Sequence, residues 1–429
     1  MSTTNTILVN NLKVIEQRWP DMRKKFDVVD LNTLSIEVES NTLIVNGVQL
    51  TSNYDRIAEA EMQAQLIPMD SKVASVYGVG LGDLCQVLLA RTKLEKLHVH
   101  IFNTGLFLHV LNAIDHTCWL TDERVMLVSA SEMNEVNLPF AAVPAELELA
   151  DNSSAQLRDR VVLELDNEFI SRLHRDDHIL FKASINSNMA FIQQDASIDE
   201  LILSNMTRVY IAAAGPTLSE HFQRLQQNQA SDKAKTLIAV DAAVKPLLSH
   251  NIIPDIVVSA DHAAQLTLVG VDLAKLKNSA LVYFPRISPE LIKNWPSKRF
   301  CVYSSGPLYK ELDKKYPKEK LFVSGSVIHP AIDLAVLKGA TEIVLLGADF
   351  GFPNNQTHAT GQTIFNSEHY AESSYWVLNG KGERISTMLN YRGYLRDLER
   401  YIQSQPQVNF INGSVEGAKI AGTLPLSAR

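Results

Sequence analysis

The chain has 429 residues, of which 46% are hydrophobic and 21% charged, and a formal net charge of −8. That length supports two domains with sizeable cores, and the acidic balance argues against a binder of nucleic-acid backbones. No apolar run approaches the roughly eighteen residues of a membrane helix. The three cysteines, Cys85, Cys118 and Cys301, are too far apart for a zinc site; they suit a reducing, cytoplasmic setting and are expected to pack in the core.

The N-terminus has no basic leader before an apolar core, so no signal peptide is expected. ILVNNLKVIEQRW (7–19) carries helical apolar spacing. SIEVES (35–40) and TLIVNGVQL (42–50) alternate and read as a small hairpin. SKVASVYGVGLGDLCQVLLAR (71–91) then runs strand, glycine turn, helix, with Gly78, Gly80 and Gly82 in G-x-G-x-G spacing. A dinucleotide site wants a later glycine and an acid at the end of the next strand. That strand, KLHVHIFNTG (96–105), ends at Asn103, and Val76 stands where a methyltransferase-like turn would want an acid. The turn therefore reads as structural, its glycines allowing close strand-to-helix packing. A polar stretch from 145 to 178 reads as helix and connector, and the domain boundary is expected near residue 200. The first domain, 1–200, is a smaller α/β domain with a degenerate glycine turn.

The second domain, 201–429, alternates strands and helices. Strands are expected at 208–214, 236–241, 256–261, 280–285, 300–305, 321–325 and 342–349, with helices such as AVKPLLSHN and VIHPAIDLAVLKG between them. Apolar strands separated by helices imply a mostly parallel sheet covered on both faces. Ligands of such sheets sit beyond the carboxyl ends of the strands. Gly215-Pro216-Thr217, Asp241, Asp261, Ser324-Gly325-Ser326 and Asp349 all stand at that edge.

In YIAAAGPTLSE (210–220), Gly215 permits a sharp turn and Pro216 presets the first helical residue without leaving an orphan amide. Thr217 adds a hydroxyl where exposed amides and the helix dipole favour an anion. A phosphate guest and a plain N-cap both fit that turn. GADFGFPNNQTHATG (347–361) supplies a strand-end acid and then a loop with His358, whose imidazole titrates near neutrality and suits a general base. Asp349 could orient a ribose, a sugar hydroxyl or a magnesium ion. His329 reads as a structural residue at a helix start, and Asp241 and Asp261 as ligands, caps or solvated strand ends.

These stretches, with AVDAAVKPLLSHNIIPDIVVSADH and NFINGSVEGAKIAGT, resemble the motility accessory factor (Maf) family of bacterial flagellin glycosyltransferases. That family shares its central domain with the 6-hydroxymethylpterin diphosphokinase MptE-like proteins. The resemblance is strongest from about 185 to 423, and implies a Rossmann-like domain that moves a nonulosonic acid, of pseudaminic or legionaminic type, from its CMP-activated form to Ser/Thr hydroxyls of flagellin in the cytoplasm. It implies that Gly215, Pro216 and Thr217 cradle the nucleotide phosphate; Asp241, Asp261, Ser324, Gly325 and Ser326, at the same strand edge, are the further nucleotide-binding candidates. His358 and Asp349 would be catalytic, with Thr357, Glu416 and Lys419 toward the donor. No obligatory cofactor is implied; Asp261 and Asp349 are the candidate ligands if Mg²⁺ takes part. Partners are the CMP-sugar and flagellin, with no nucleic acid and no membrane. SVEG lacks a glycine found in many relatives, and the chain stops soon after it, so an acceptor-binding element is expected to be either missing or supplied elsewhere. Two other readings keep the same fold: an ATP/Mg²⁺-dependent diphosphokinase with the aspartates as metal ligands, and a non-catalytic flagellin-binding assembly factor.

Overall fold

β1 (Ile36–Val38), β2 (Leu43–Val45) and β3 (Val48–Gln49) form a small antiparallel sheet. Between β2 and β3, Asn46 and Gly47 hold φ of 50° and 82°, the left-handed pair of a tight two-residue hairpin. The stretch 42–50, expected as one strand, is therefore two, because Asn-Gly reverses the chain. The computed structural model describes residues 6–133, 135–166, 179–203, 206–231, 235–261, 267–356, 359 and 375–426. Two compact units divide the chain, Met1–Asn167 and Glu168–Arg429.

In the first unit, β4 (Val73–Tyr77), β5 (Lys96–Ile101), β6 (Val125–Ser129) and β7 (Phe140–Ala142) make a parallel sheet in the order β6-β5-β4-β7. The helix Asp83–Leu89 follows the glycine turn and buries Leu84, Cys85 and Leu88. Gly78, Gly80 and Gly82 all have positive φ, at 90°, 57° and 88°. The amides of Val79 and Gly80 both donate to Oε1 of Glu146, each at 2.6 Å. The cradle that could face a phosphate thus holds a side chain of the same unit. Glu146 is buried, and burial pushes its carboxyl up to about 7 against the pull of the two amides. Asn103 caps the helix Thr104–Ala113, accepting from the Leu106 amide at 3.0 Å. Cys85 and Cys301 are buried, whereas Cys118 is exposed and takes no part in a core.

The second unit is built on a nine-stranded sheet. Its strands are β8 (Ala196–Ser197), β9 (Arg208–Ala212), β10 (Thr236–Val240), β11 (Ile256–Ser259), β12 (Ala280–Tyr283), β13 (Arg299–Cys301) and β14 (Glu342–Leu346), followed after the separate hairpin β15 (Trp376–Leu378) and β16 (Arg384–Ser386) by β17 (Asn409–Asn412) and β18 (Leu424–Pro425). The order is β18-β17-β14-β9-β10-β11-β12-β13-β8, and every described pairing in it is parallel. This is a Rossmann-like α/β sheet. Its central strands are apolar and buried on both faces, as helical crossovers require. The division at 167/168 lies earlier than the boundary expected near 200. The helices Ile179–Ser187 and Met189–Gln194 belong to the second unit, and β8 already pairs with β13.

One expected strand is missing. At 321–325 there is only a bridge from Lys320 to Tyr303. The Phe322 amide is taken by the Asp333 carboxylate at 2.7 Å, and Gly325 then turns the chain at φ 78°. No helix among the described residues is long and apolar enough to cross a membrane.

The Glu146 contact makes a pH prediction. A carboxyl whose value is raised on folding holds its proton more tightly in the folded chain. Its contribution to stability is complete below the unfolded value of about 4.3 and is lost as pH rises through about 7. Glu146→Gln keeps an oxygen for the two amides without the buried charge. In urea denaturation it should be more stable than the wild type at pH 8, with the difference shrinking towards pH 4. A difference independent of pH would show that the carboxylate is not desolvated in this turn.

Candidate functional site at the carboxyl edge of the nine-stranded sheet

β9 lies between β10 and β14. From β9 the chain builds outward through β10 to β13, then returns to place β14 on the opposite side of β9. The loops after β9 and β14 leave the sheet in opposite directions, the topological switch point where open α/β sheets bind ligands. A cavity of about 190 Å³ opens there, lined by 213–215, 240–242, 326–328, 347–351, Tyr391 and Tyr394.

The turn after β9 is tied to the loop after β14. The Thr217 amide donates to Asp349 Oδ2 at 2.9 Å, and the Thr217 hydroxyl donates to Oδ1 at 2.5 Å. Backbone bonds continue the seam, from the Ala213 amide to Leu346 O (2.8 Å) and from the Gly215 amide to Gly347 O (3.0 Å). The fit leaves no room for side chains: a Cβ on Gly215 would stand 2.4 Å from Asp349 Oδ2, and one on Gly417 would stand 2.3 Å from Oδ1. Asp349 is 3% and Thr217 3% exposed. Burial pushes the Asp349 carboxyl up to about 6, opposed by the two Thr217 bonds and reinforced by the nearby charge of Glu220. The turn therefore holds a carboxylate of its own chain. Pro216 has no amide to offer, and the Thr217 donors are spent on Asp349. Asp349 lines the cavity, and its carboxylate faces the Thr217 amide and hydroxyl.

Asp241 opens the helix Asp241–Ser249. Its carboxylate accepts from the Ala242 amide at 2.7 Å and the Ser259 hydroxyl at 2.8 Å. Burial raises it to about 6, with the charge of Asp261 adding to the effect. Asp261 follows β11 and is exposed. A carboxylate poised near neutrality in a cleft is able to exchange a proton.

The triplet 324–326 is not a strand end. Ser324 donates its hydroxyl to Asp397, Gly325 accommodates the Tyr394 ring, and Ser326 lines the cavity ahead of the helix Ile328–Leu337. His329 is structural: Nε2 lies 2.9 Å from Tyr394 O and Nδ1 3.1 Å from Ser326 O, and burial lowers its affinity for a second proton. In the closing segment, Ala418 donates its amide to Asp349 O at 2.8 Å, which lays Gly417 against the Asp349 side chain. Glu416 turns away to Lys381 at 2.5 Å, and Lys419 is exposed. Thr357 and His358 lie outside the described residues. Among the described residues, no group of three His, Cys, Asp or Glu side chains is placed to hold a metal ion.

Sequence reasoning passed over Tyr391 and Tyr394, which reach the cavity from the helix Leu389–Gln403, and Glu220. The tyrosines' three-residue spacing on a helix was their only signal.

Residues 184–355 match the family model described as 6-hydroxymethylpterin diphosphokinase MptE-like. No curated protein matches the chain. Among solved structures, the chain is similar to the Maf glycosyltransferase from Magnetospirillum magneticum AMB-1, at 16% identity and a TM-score of 0.45, over 99% of this chain and 75% of that one. The spermidine synthase from Thermotoga maritima matches at 19% identity and a TM-score of 0.21, over 29% of this chain and 48% of that one.

The Asp349–Thr217 contact is testable. Thr217→Val keeps the shape and amide but removes one of two donors to a buried carboxylate, at a cost of about 1–3 kcal/mol. Thr217→Ser should stay near the wild type in the same thermal or urea melts. Equal stabilities for Val and Ser would mean that the hydroxyl carries nothing.

Proposed function

We propose that the chain is a flagellin glycosyltransferase that moves a nonulosonic acid from its CMP-activated form to Ser or Thr hydroxyls. One observation carries this reading. The segments whose sequences resemble the Maf family, AAAGPT, AVDAA, SGSVI and LGADFG, are far apart in the chain, yet all four line a single cavity. The setting is a Rossmann-like switch point, suited to a nucleotide.

In this reaction the acceptor oxygen forms a bond to the anomeric carbon of the sugar. The bond from that carbon to phosphate breaks, and CMP departs with the electron pair. The acceptor proton passes to a base. His358 is assigned that role; its neighbour Ala359 donates its amide to Ala214 O at 3.0 Å, beside the Gly215 turn. Asp241, inside the cavity and raised to about 6, is the second candidate. The departing phosphate meets the start of the helix Ile328–Leu337 at 326–328, a helix N-terminus, whose dipole favours an anion. Asp349 and Thr217 position these groups. The protein would act in the cytoplasm and need no obligatory cofactor.

The family match over 184–355 favours one competing reaction, ATP/Mg²⁺-dependent diphosphate transfer to a pterin. Incubation of the protein with CMP-nonulosonate and flagellin should release CMP and add one sugar mass per modified hydroxyl. Formation of a pterin diphosphate from Mg-ATP, with no sugar transfer, would replace the reading. CMP binding without turnover would leave only a flagellin-binding factor. His358→Ala should slow transfer by about 10²–10⁴-fold and leave CMP affinity within a few-fold. If it does not, and Asp241→Asn slows transfer at saturating donor while leaving CMP affinity within a few-fold, the base is Asp241.

A further inference from the structure

The helix Leu389–Gln403 lies beyond the matched segment, yet sends two aromatic side chains into the cavity. The Tyr394 ring is held from several directions. Its edge lies against Gly325, where a Cβ would stand 2.1 Å from Cε1. Its centroid is 6.3 Å from that of His329, at 84°, and 6.1 Å from that of Tyr391, at 42°. Tyr391 in turn leans on Phe352 at 5.7 Å. Further along the helix Tyr401 stacks on Phe322 at 4.9 Å and donates its hydroxyl to Asp333 at 2.5 Å, which anchors the element. A ring fixed this firmly in a cavity wall loses little freedom when a flat ligand settles on it.

One carboxylate stands at this wall, that of Asp241, which lines the same cavity. Each Asp241 oxygen accepts one internal bond and retains a lone pair. An acid beside an aromatic face suits a planar ring whose edge donates hydrogen bonds.

We propose that Tyr391 and Tyr394 hold the planar heterocycle of the ligand by its face, and that Asp241 accepts from an amino group on its edge. Cytosine presents such a donor at N4, where uracil presents an acceptor oxygen that a carboxylate would oppose. The pocket would therefore separate cytidine from uridine nucleotides. The choice of cytosine rests on the function proposed above; the aromatic wall rests on the geometry alone.

Titration calorimetry of the full chain with CMP, UMP and ribose 5-phosphate tests this. The wild type should bind CMP about 5- to 150-fold more tightly than UMP. Tyr394→Leu should weaken CMP by about the same range, the worth of one stacked base. Tyr394→Phe should stay within about threefold of the wild type, as a stacking role predicts. Ribose 5-phosphate, which has no ring to stack, should bind Tyr394→Leu and wild type alike. Asp241→Asn should narrow the ratio of CMP to UMP. Tyr391→Leu provides a second variant should Tyr394→Leu fail to fold. The proposal is overturned if UMP binds as well as CMP, if the folded Leu variants keep wild-type CMP affinity, or if they lose ribose 5-phosphate in equal measure. If the wild type binds 6-hydroxymethylpterin with Mg-ATP and ignores CMP, glycosyl transfer fails. The aromatic wall then survives only if the Leu variants weaken the pterin, which also carries an amino group. Failure of the wild type to bind any of these ligands overturns both proposals.

Discussion

The second unit depends on one buried contact, the carboxylate of Asp349 against the amide and hydroxyl of Thr217. The two residues are 132 positions apart. Their contact closes the seam between the turn after β9 and the loop after β14, the two segments that diverge at the switch point. Gly215 and Gly417 give that carboxylate its space, since a side chain at either would collide with it. Around the seam stand the other cavity walls, from Asp241 at the start of one helix, 326–328 at the start of another, and the tyrosines of a third. A charge buried with neutral donors alone is costly. It is retained here where it fixes the position of two backbones at once.

The first unit uses the same device to a different end. Its glycine turn aims two amides at one point, and Glu146 fills that point. In both units a turn of the type that receives phosphates receives an internal carboxylate. The consequences differ because of what surrounds each turn. Glu146 occupies the centre of its cradle, close enough that a Cβ on Gly78 would stand 2.7 Å from its own Cβ. Asp349 sits beside its cavity and leaves the space between β9, β10 and β14 open.

Much of this was legible in the chain. Apolar strands alternating with helices announced the parallel sheet, and polar residues at strand ends marked the edge where the cavity opens. Asp241, Ser326, Gly215 and Asp349 do meet in one cavity. What could not be read was which polar atoms face each other. The Thr217 hydroxyl looked available to a phosphate because its partner is distant in sequence. The strand expected at 321–325 failed for a similar reason, since the Asp333 carboxylate captures the Phe322 amide that a ladder would need. The hairpin at Asn46-Gly47 carried a clear turn signal that the alternation of flanking residues obscured. Tyr391 and Tyr394 carried only helical spacing, which is shared by any core-facing helix.

The central claim is that the nucleotide binds at the β9, β10 and β14 edge and not at the glycine turn of the first unit. Amide hydrogen exchange, followed by mass spectrometry with and without saturating CMP, measures this directly. Slowed exchange should be confined to 213–217, 241–243, 326–329, 347–351 and 390–395, with 78–84 unchanged. Protection of 78–84, with none along the second unit's sheet edge, would contradict the account.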